Sequence, residues 1–196
     1  MIDFEKIKKK AEYLTDDAHG GGYGDYWEKF DKEGIRARKL EFLQTYDFID
    51  GNEDYDNKNY DGFVKYLKEF HEGAWGGKDN ITRIHYVEKP VNEYLKMEYY
   101  TYLVTASYGQ DIRITYDRSL FPKKVYDFVL FENGHLFLLD FGNNDTWNGA
   151  WHITDKKILK EVADWYDEVF AKCKNFKSMI RPNKELVGKM KDAGIM

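Results

Sequence analysis

Six charged residues fall within or beside apolar runs of this 196-residue chain: Arg38 and Glu41 in RARKLEF, Arg83 in ITRIHYV, and Glu98, Asp111 and Arg113 between residues 90 and 118. Gln110 adds an uncharged polar group to the same stretch. A charge left unpaired in such surroundings costs several kcal/mol, so these side chains are expected to pair. Bidentate arginine–carboxylate pairing suits two different ends. It can brace helices against a sheet, or it can line a polar pocket for a small anion or a partner's side chain.

Other chemistries lack their parts. Of His19, His71, His85, His135 and His152, no two share a helix at metal-binding spacing, and no glutamate stands between histidines as in zinc hydrolases. No metal ligand set, cofactor or catalytic residue is therefore expected. His85 and His135 lie in strand-like runs and read as hydrogen-bonded core histidines. Ser107, Ser119 and Ser178 lack the Gly-x-Ser-x-Gly elbow of a nucleophilic serine. The glycine-rich AHGGGYGD, residues 18 to 25, has no strand before it and no Lys-Ser or Lys-Thr after it, so it is not a phosphate loop. Asp140, Asn143, Asn144 and Asp145 in DFGNNDTWNG offer oxygens, but without the distal glutamate and helix pair of a calcium loop they read as a polar turn. The kinase-like Asp140-Phe141-Gly142 lacks its companion motifs.

Hydrophobic content of 42% with 33% charged residues describes a globular chain, and the length suits a single core. No apolar run approaches the roughly 18 residues needed to cross a bilayer, and the N-terminal residues lack the order of a secretory signal, so a cytoplasmic location is expected. The net charge of −5 argues against adhesion to nucleic acid. Cys173, alone, excludes an intramolecular disulfide and reads as a core filler. Sixteen tyrosines suit either the margin of a core or an aromatic surface for a protein partner.

The elements that must position the polar set follow from periodicity. Phe4, Ile7, Ala11 and Leu14 predict a helix over residues 3–14, and YWEKFDKEGIRARKLEFLQTY reads as one or two helices broken at Gly34. NEDYDNKNYDG reads as a polar loop, and DGFVKYLKEFHEGAWGG as a helix closed by Gly73. ITRIHYV predicts a strand, Pro90 the first turn of a helix running to residue 107, and DIRITYD a second strand, which makes a parallel crossover unit. VYDFVLF and HLFLLDF, joined by Glu132-Asn133-Gly134, predict a central antiparallel hairpin with a type I′ turn. AWHIT reads as a short edge strand, DKKILKEVADWYDEVFAKC as an amphipathic helix across the sheet, and NKELVGKMKDAGIM as a weak helix that frays or docks on a partner. The fold class is thus α/β (α+β): residues 1–25 as helix and glycine loop, 26–175 as one domain around a mixed sheet of about five strands, and 176–196 as a tail.

Taken in order, Arg38-Lys39-Leu40-Glu41 with Tyr46, then Arg83, Pro90, Tyr94 and Glu98, then Gly109 to Arg113, then Asp127 to Glu132, resemble an uncharacterised bacterial domain family, mainly actinobacterial, often encoded beside helix-turn-helix regulators. The resemblance covers residues 28 to 175. It departs from the usual pattern at Gln110, where family members carry glutamate, and at Phe128, where they carry tryptophan. The family looks like a distant, degenerate relative of phospholipase D-like domains, and the absence of any His-x-Lys motif places this chain on a noncatalytic branch. The resemblance implies a binding or regulatory domain acting through a protein partner in a regulatory or mobile-element module, and the hydropathy and net charge argue against membrane and direct nucleic-acid contact. Two rivals remain: an enzyme or sensor for a phosphorylated or carboxylated small molecule using Arg38, Glu41, Glu98 and Arg113, and an acidic phage-type inhibitor that mimics nucleic acid through residues 16–33 and 50–61.

Overall fold

The computed structural model describes residues 2–15, 22–45, 52–74, 80–142 and 147–196. Among these, seven helices, α1 Phe4–Lys8, α2 Tyr23–Lys32, α3 Asn52–Asp56, α4 Tyr60–Ala74, α5 Glu93–Ser107, α6 Lys156–Phe170 and α7 Lys184–Asp192, accompany eight strands. The strands are β1 Glu12–Thr15, β2 Ala37–Glu41, β3 Ile81–Tyr86, β4 Asp111–Thr115, β5 Phe128–Phe131, β6 His135–Phe141, β7 Trp147–Ile153 and β8 Lys174–Asn175. They form one mixed sheet in the order β1-β7-β6-β5-β2-β3-β4-β8, larger than the five strands expected.

The parallel centre is β2, β3 and β4, and every other pairing is antiparallel. The predicted crossover from β3 through α5 to β4 and the central hairpin β5–β6 are both present. One face of the sheet carries Leu40, Ile84, Phe128, Leu130, Leu136 and Leu138, packed beneath α6 and α1. The other is divided. Phe30 of α2 covers Ala37, Ile81, Val129 and Phe137, while α4, α5 and α7 cover Ile112 and Ile114. Helices on both faces explain why β5 and the middle of β6 are apolar without alternation.

Several local readings change. The helix from Phe4 stops at Lys8, and Glu12–Thr15 forms the edge strand, because Tyr13 pairs across to Trp151 and packs against it, the rings tilted with centroids 5.2 Å apart. β7 is therefore internal. RARKLEF, read as helical, is β2, which pairs with both β3 and β5. Residues 52–56, read as loop, form α3, and α4 runs past Gly73 to Ala74. Pro90 follows a cis peptide bond and lies outside the helix it was expected to open. Asn92 caps α5 instead, its side chain accepting from Leu95 N at 2.8 Å. The β5–β6 loop has three residues, with Gly134 at φ 95° and Lys58 the only non-glycine at positive φ among the described residues. That fits a type I turn followed by a left-handed glycine, since the type I′ turn would need positive φ at Asn133 too.

α7 lies against the domain, with Leu186 and Met190 fully buried. Cys173 is buried, which pushes its thiol up to about 11. No helix among the described residues is long and apolar enough to cross a membrane. Most of the glycine loop, His19, Tyr46, the turn at Asn143 to Asp145, the side chain of His71 and parts of both acidic segments lie outside the described residues.

The edge strand depends on one glycine. Gly149 has φ +141°, and a Cβ there would stand 2.3 Å from the Leu14 carbonyl oxygen. Gly149→Ala is expected to cost about 1–3 kcal/mol through backbone strain and to release β1. Urea unfolding and amide exchange at residues 12–15 check this; an unchanged midpoint with protected amides would refute it.

Candidate functional site

The gap between the two apolar halves of the divided face is where ionisable side chains enter the interior. In a strand, alternate residues share a face, so Lys39 and Glu41 of β2 point the same way, as do Arg83 and His85 of β3. The parallel register sets Lys39 beside Arg83 and Glu41 beside His85. α5 closes the layer from above, presenting Tyr94, Glu98 and Tyr102 at steps of four on one helical side.

Glu41, with 2% of its surface exposed, is held on all sides. Arg83 Nη1 donates to both carboxylate oxygens at 3.0 Å, Lys39 Nζ lies 2.6 Å from Oε1, and the Tyr102 hydroxyl is 3.1 Å from Oε2. The second carboxyl is not so held. Glu98 is 6% exposed, and its Oε2 has no hydrogen-bond partner; it lies 3.6 Å from His85 Nδ1. Arg83 Nε is likewise buried without a hydrogen-bond partner.

His85, fully buried, fixes the polarity of the centre. Its Nε2 is 3.0 Å from the Leu43 carbonyl, which can only accept, so the proton is on Nε2 and the neutral ring turns the Nδ1 lone pair inward. The Tyr102 hydroxyl stands 2.5 Å from that nitrogen, and Glu41 Oε2 is 3.7 Å from it. One phenolic proton thus faces two acceptors. The segment after β2 that supplies the Leu43 carbonyl is pinned: Asp127 accepts from Phe42 N and Leu43 N, and the Gln44 amide donates to the Phe42 and Tyr86 carbonyls.

Electrostatics separate the two carboxyls. Burial opposes the charge of Glu41, but Arg83 and Lys39 outweigh it and hold this group well below the usual carboxylate range. Burial and then the Glu41 charge push Glu98 up to about 8. Burial lowers His85 and raises Tyr102. At neutral pH the centre therefore holds one carboxylate, one neutral carboxyl, a neutral imidazole and two cations.

Of the seven residues singled out by sequence, three meet here: Glu41, Arg83 and Glu98. Arg38 and Arg113 project from the opposite face of the sheet. Arg38 pairs with Asp167 of α6 at 2.9 and 3.1 Å, and Arg113 bonds Asp111 and lies over the Phe170 ring at 4.2 Å. The expected grouping of Arg38, Glu41, Glu98 and Arg113 in one site is thus not formed. Gln110 is buried in the turn before β4, its amide atoms without hydrogen-bond partners. His85, read as a hydrogen-bonded core histidine, is buried and bonded to Tyr102 and Leu43; Lys39 and Tyr102 were not singled out for the polar set, although the two-residue step from Lys39 to Glu41 and the four-residue step from Glu98 to Tyr102 signal shared faces. His135 is stacked on His152, their Nδ1 and Nε2 2.8 Å apart, one ring N–H donating to the other.

These features define a mixed α/β domain with a buried polar centre between its sheet and one crossover helix. Residues 24–181 match the family model described as a domain of unknown function (DUF6879), and the chain belongs to that family. No functionally curated protein matches it.

Two substitutions separate the carboxyls. Glu41→Gln strands Arg83 and Lys39 and is expected to cost about 3–5 kcal/mol in urea unfolding at pH 7. Glu98→Gln removes no paired charge and spares the proton uptake that folding demands of the wild type at pH 7, so no loss, or a gain, in stability is expected; equal losses for the two variants would contradict the assignment. A second check uses pH. Because the folded-state value of Glu98 lies above the ordinary 4.5, its contribution to stability is fully present below about pH 4.5 and is lost as pH rises through about 8. In metal-free buffer, the stability of the wild type relative to Glu98→Gln should fall across that window; a constant difference would refute it.

Proposed function

We propose that the domain binds a small ligand at the charged layer formed by β2, β3 and α5 and serves as a sensing domain without bond-making chemistry of its own. The observation that carries this reading is Glu98: a carboxyl group buried to 94%, its Oε2 without a hydrogen-bond partner, set beside a second carboxylate and an inward-facing imidazole. A brace closes all its bonds. Each buried polar atom left unbonded costs about 1–3 kcal/mol, and natural chains tolerate such conflicts chiefly where a site is used. Arg83 Nε adds a second open atom in the same layer. The Lys39 side chain retains 20% exposure, so the layer approaches the surface at that point.

Small-ligand binding is preferred to docking of a protein partner because the features that favoured docking are otherwise engaged. α7 is committed to its own core. The large apolar side chains exposed among the described residues, Tyr13, Tyr108 and Met196, come from three separate parts of the chain. A sensing role also suits the regulatory setting that the sequence resemblance implies.

Thermal-shift and native mass-spectrometric screening of the full chain against inorganic ions and small carboxylated and phosphorylated compounds tests the reading. One equivalent of ligand is expected to raise Tm, with affinity at least about tenfold weaker in Glu98→Gln at unchanged circular dichroism, as for losing one charge-assisted contact. No binding by the wild type, or equal binding by the variant, would overturn it.

A further inference from the structure

Three electron-pair donors converge in the charged layer: His85 Nδ1, a Glu41 oxygen and a Glu98 oxygen all lie within 4.8 Å of one another. The individual separations are 3.7 Å from Nδ1 to Glu41 Oε2 and 3.6 Å from Nδ1 to Glu98 Oε2. Atoms bonded at about 2.0–2.2 Å to one first-row ion stand about 3–4 Å apart, so small rotations bring this set to bonding distance. We propose that Glu41, His85 and Glu98 form a binding site for a single divalent first-row transition cation.

Three further features point the same way. The outer nitrogen of His85 donates to the Leu43 carbonyl at 3.0 Å, the arrangement that fixes a ligating imidazole with its free lone pair toward the ion. Glu98 Oε2, nine-tenths buried and without a hydrogen-bond partner, faces that lone pair. Arg83 Nη1 donates to both oxygens of Glu41 at 3.0 Å and Lys39 holds Oε1 at 2.6 Å, while Oε2 also faces Tyr102 and His85. Hydrogen-bonded carboxylate ligands are the rule in metal sites, and Arg83, which donates to both oxygens of Glu41, is the orienting group of that ligand. Tyr102, whose hydroxyl lies 2.5 Å from Nδ1 and 3.1 Å from Oε2, supplies a fourth oxygen as it turns to admit the ion. Two carboxylates, an imidazole and a phenol form an oxygen–nitrogen set for manganese, iron, cobalt or zinc; the one thiol, Cys173, lies elsewhere, in the core beneath α6. Lys39 and Arg83 also set a limit, since their charges oppose the ion, and binding is expected to be of moderate affinity.

This inference rests on the ligand-binding reading and narrows it to a cation, and the test separates the two. The full chain is stripped with chelator and titrated with Co²⁺ and Zn²⁺, followed by calorimetry and by the visible bands of Co²⁺. One equivalent with a rise in Tm is expected, with at least about tenfold weaker binding in Glu98→Gln. Lys39→Met provides a second, independent sign: removing a repelling charge should tighten the cation several-fold, whereas an anionic ligand would be weakened. Absence of a Co²⁺ or Zn²⁺ equivalent, or binding unchanged in Glu98→Gln, overturns the cation site. If the wild type then binds a metabolite that Lys39→Met loses, the ligand-binding reading stands and its ligand is an anion.

Discussion

The carboxylate of Glu41 is the interaction on which the middle of the molecule depends. It is the last residue of β2, and its three partners come from three places: Lys39 on the same strand, Arg83 on β3 and Tyr102 on α5. The two parallel strands and the crossover helix above them are thus tied through one anion. The cations have little alternative, because Arg83 is almost wholly buried and its guanidinium cannot shed its charge. Without the carboxylate, the Arg83 charge would lose its direct ion pair in a buried layer, at a cost of about 3–5 kcal/mol.

This arrangement explains the division of the sheet face. Elsewhere the layers are closed by interdigitated aliphatic and aromatic side chains, with Phe30 and Phe137 on one side of the gap and Leu95 and Ile112 on the other. An apolar set in the gap would pack at least as well and would cost less desolvation. What the polar set provides is a centre with defined hydrogen-bond directions. The imidazole is aimed by Leu43, whose own position is fixed by Asp127 and Gln44. The exit from β2, the exit from β3 and the start of α5 are therefore tied into one polar assembly.

Much of this fold was legible in the sequence, and the misreadings have a common physical source. The crossover unit around α5, the β5–β6 hairpin and the stripe of α6 follow from runs long enough for one periodicity to dominate. RARKLEF is short, and Arg38 with Glu41 fits a three-residue helical step as easily as a strand. Only pairing with β3 and β5 decides between them, and that information lies far away in sequence. The choice of period then decides the site. On a helix Arg38 and Glu41 would share a side; on a strand they face opposite layers, which sends Arg38 to Asp167 and leaves Glu41 to Arg83. The same parity removes Arg113 from the centre and brings His85 into it. The Tyr102 ring packs in the apolar core under α5, while its hydroxyl acts in the polar layer, a double role that helical periodicity does not display.

Brace and site, the two uses open to the charged residues at the outset, fall to different carboxyls on the proposed reading. Glu41 has every feature of a brace, with short contacts to two cations and a phenol, and burial balanced by opposite charge. Glu98 enters the same layer from α5, where burial and the Glu41 charge outweigh the pull of Arg83, Lys39 and Tyr102, and its Oε2 faces the His85 lone pair without a hydrogen bond. A side chain of Met97 or Leu95 type would suit that environment better if packing were the sole requirement. An acid placed where its charge is resisted, beside an imidazole with an inward lone pair, is arranged to receive something positive. A proton satisfies that requirement in part, but it bonds only two of the three converging donors at a time, whereas a coordinated ion engages all of them.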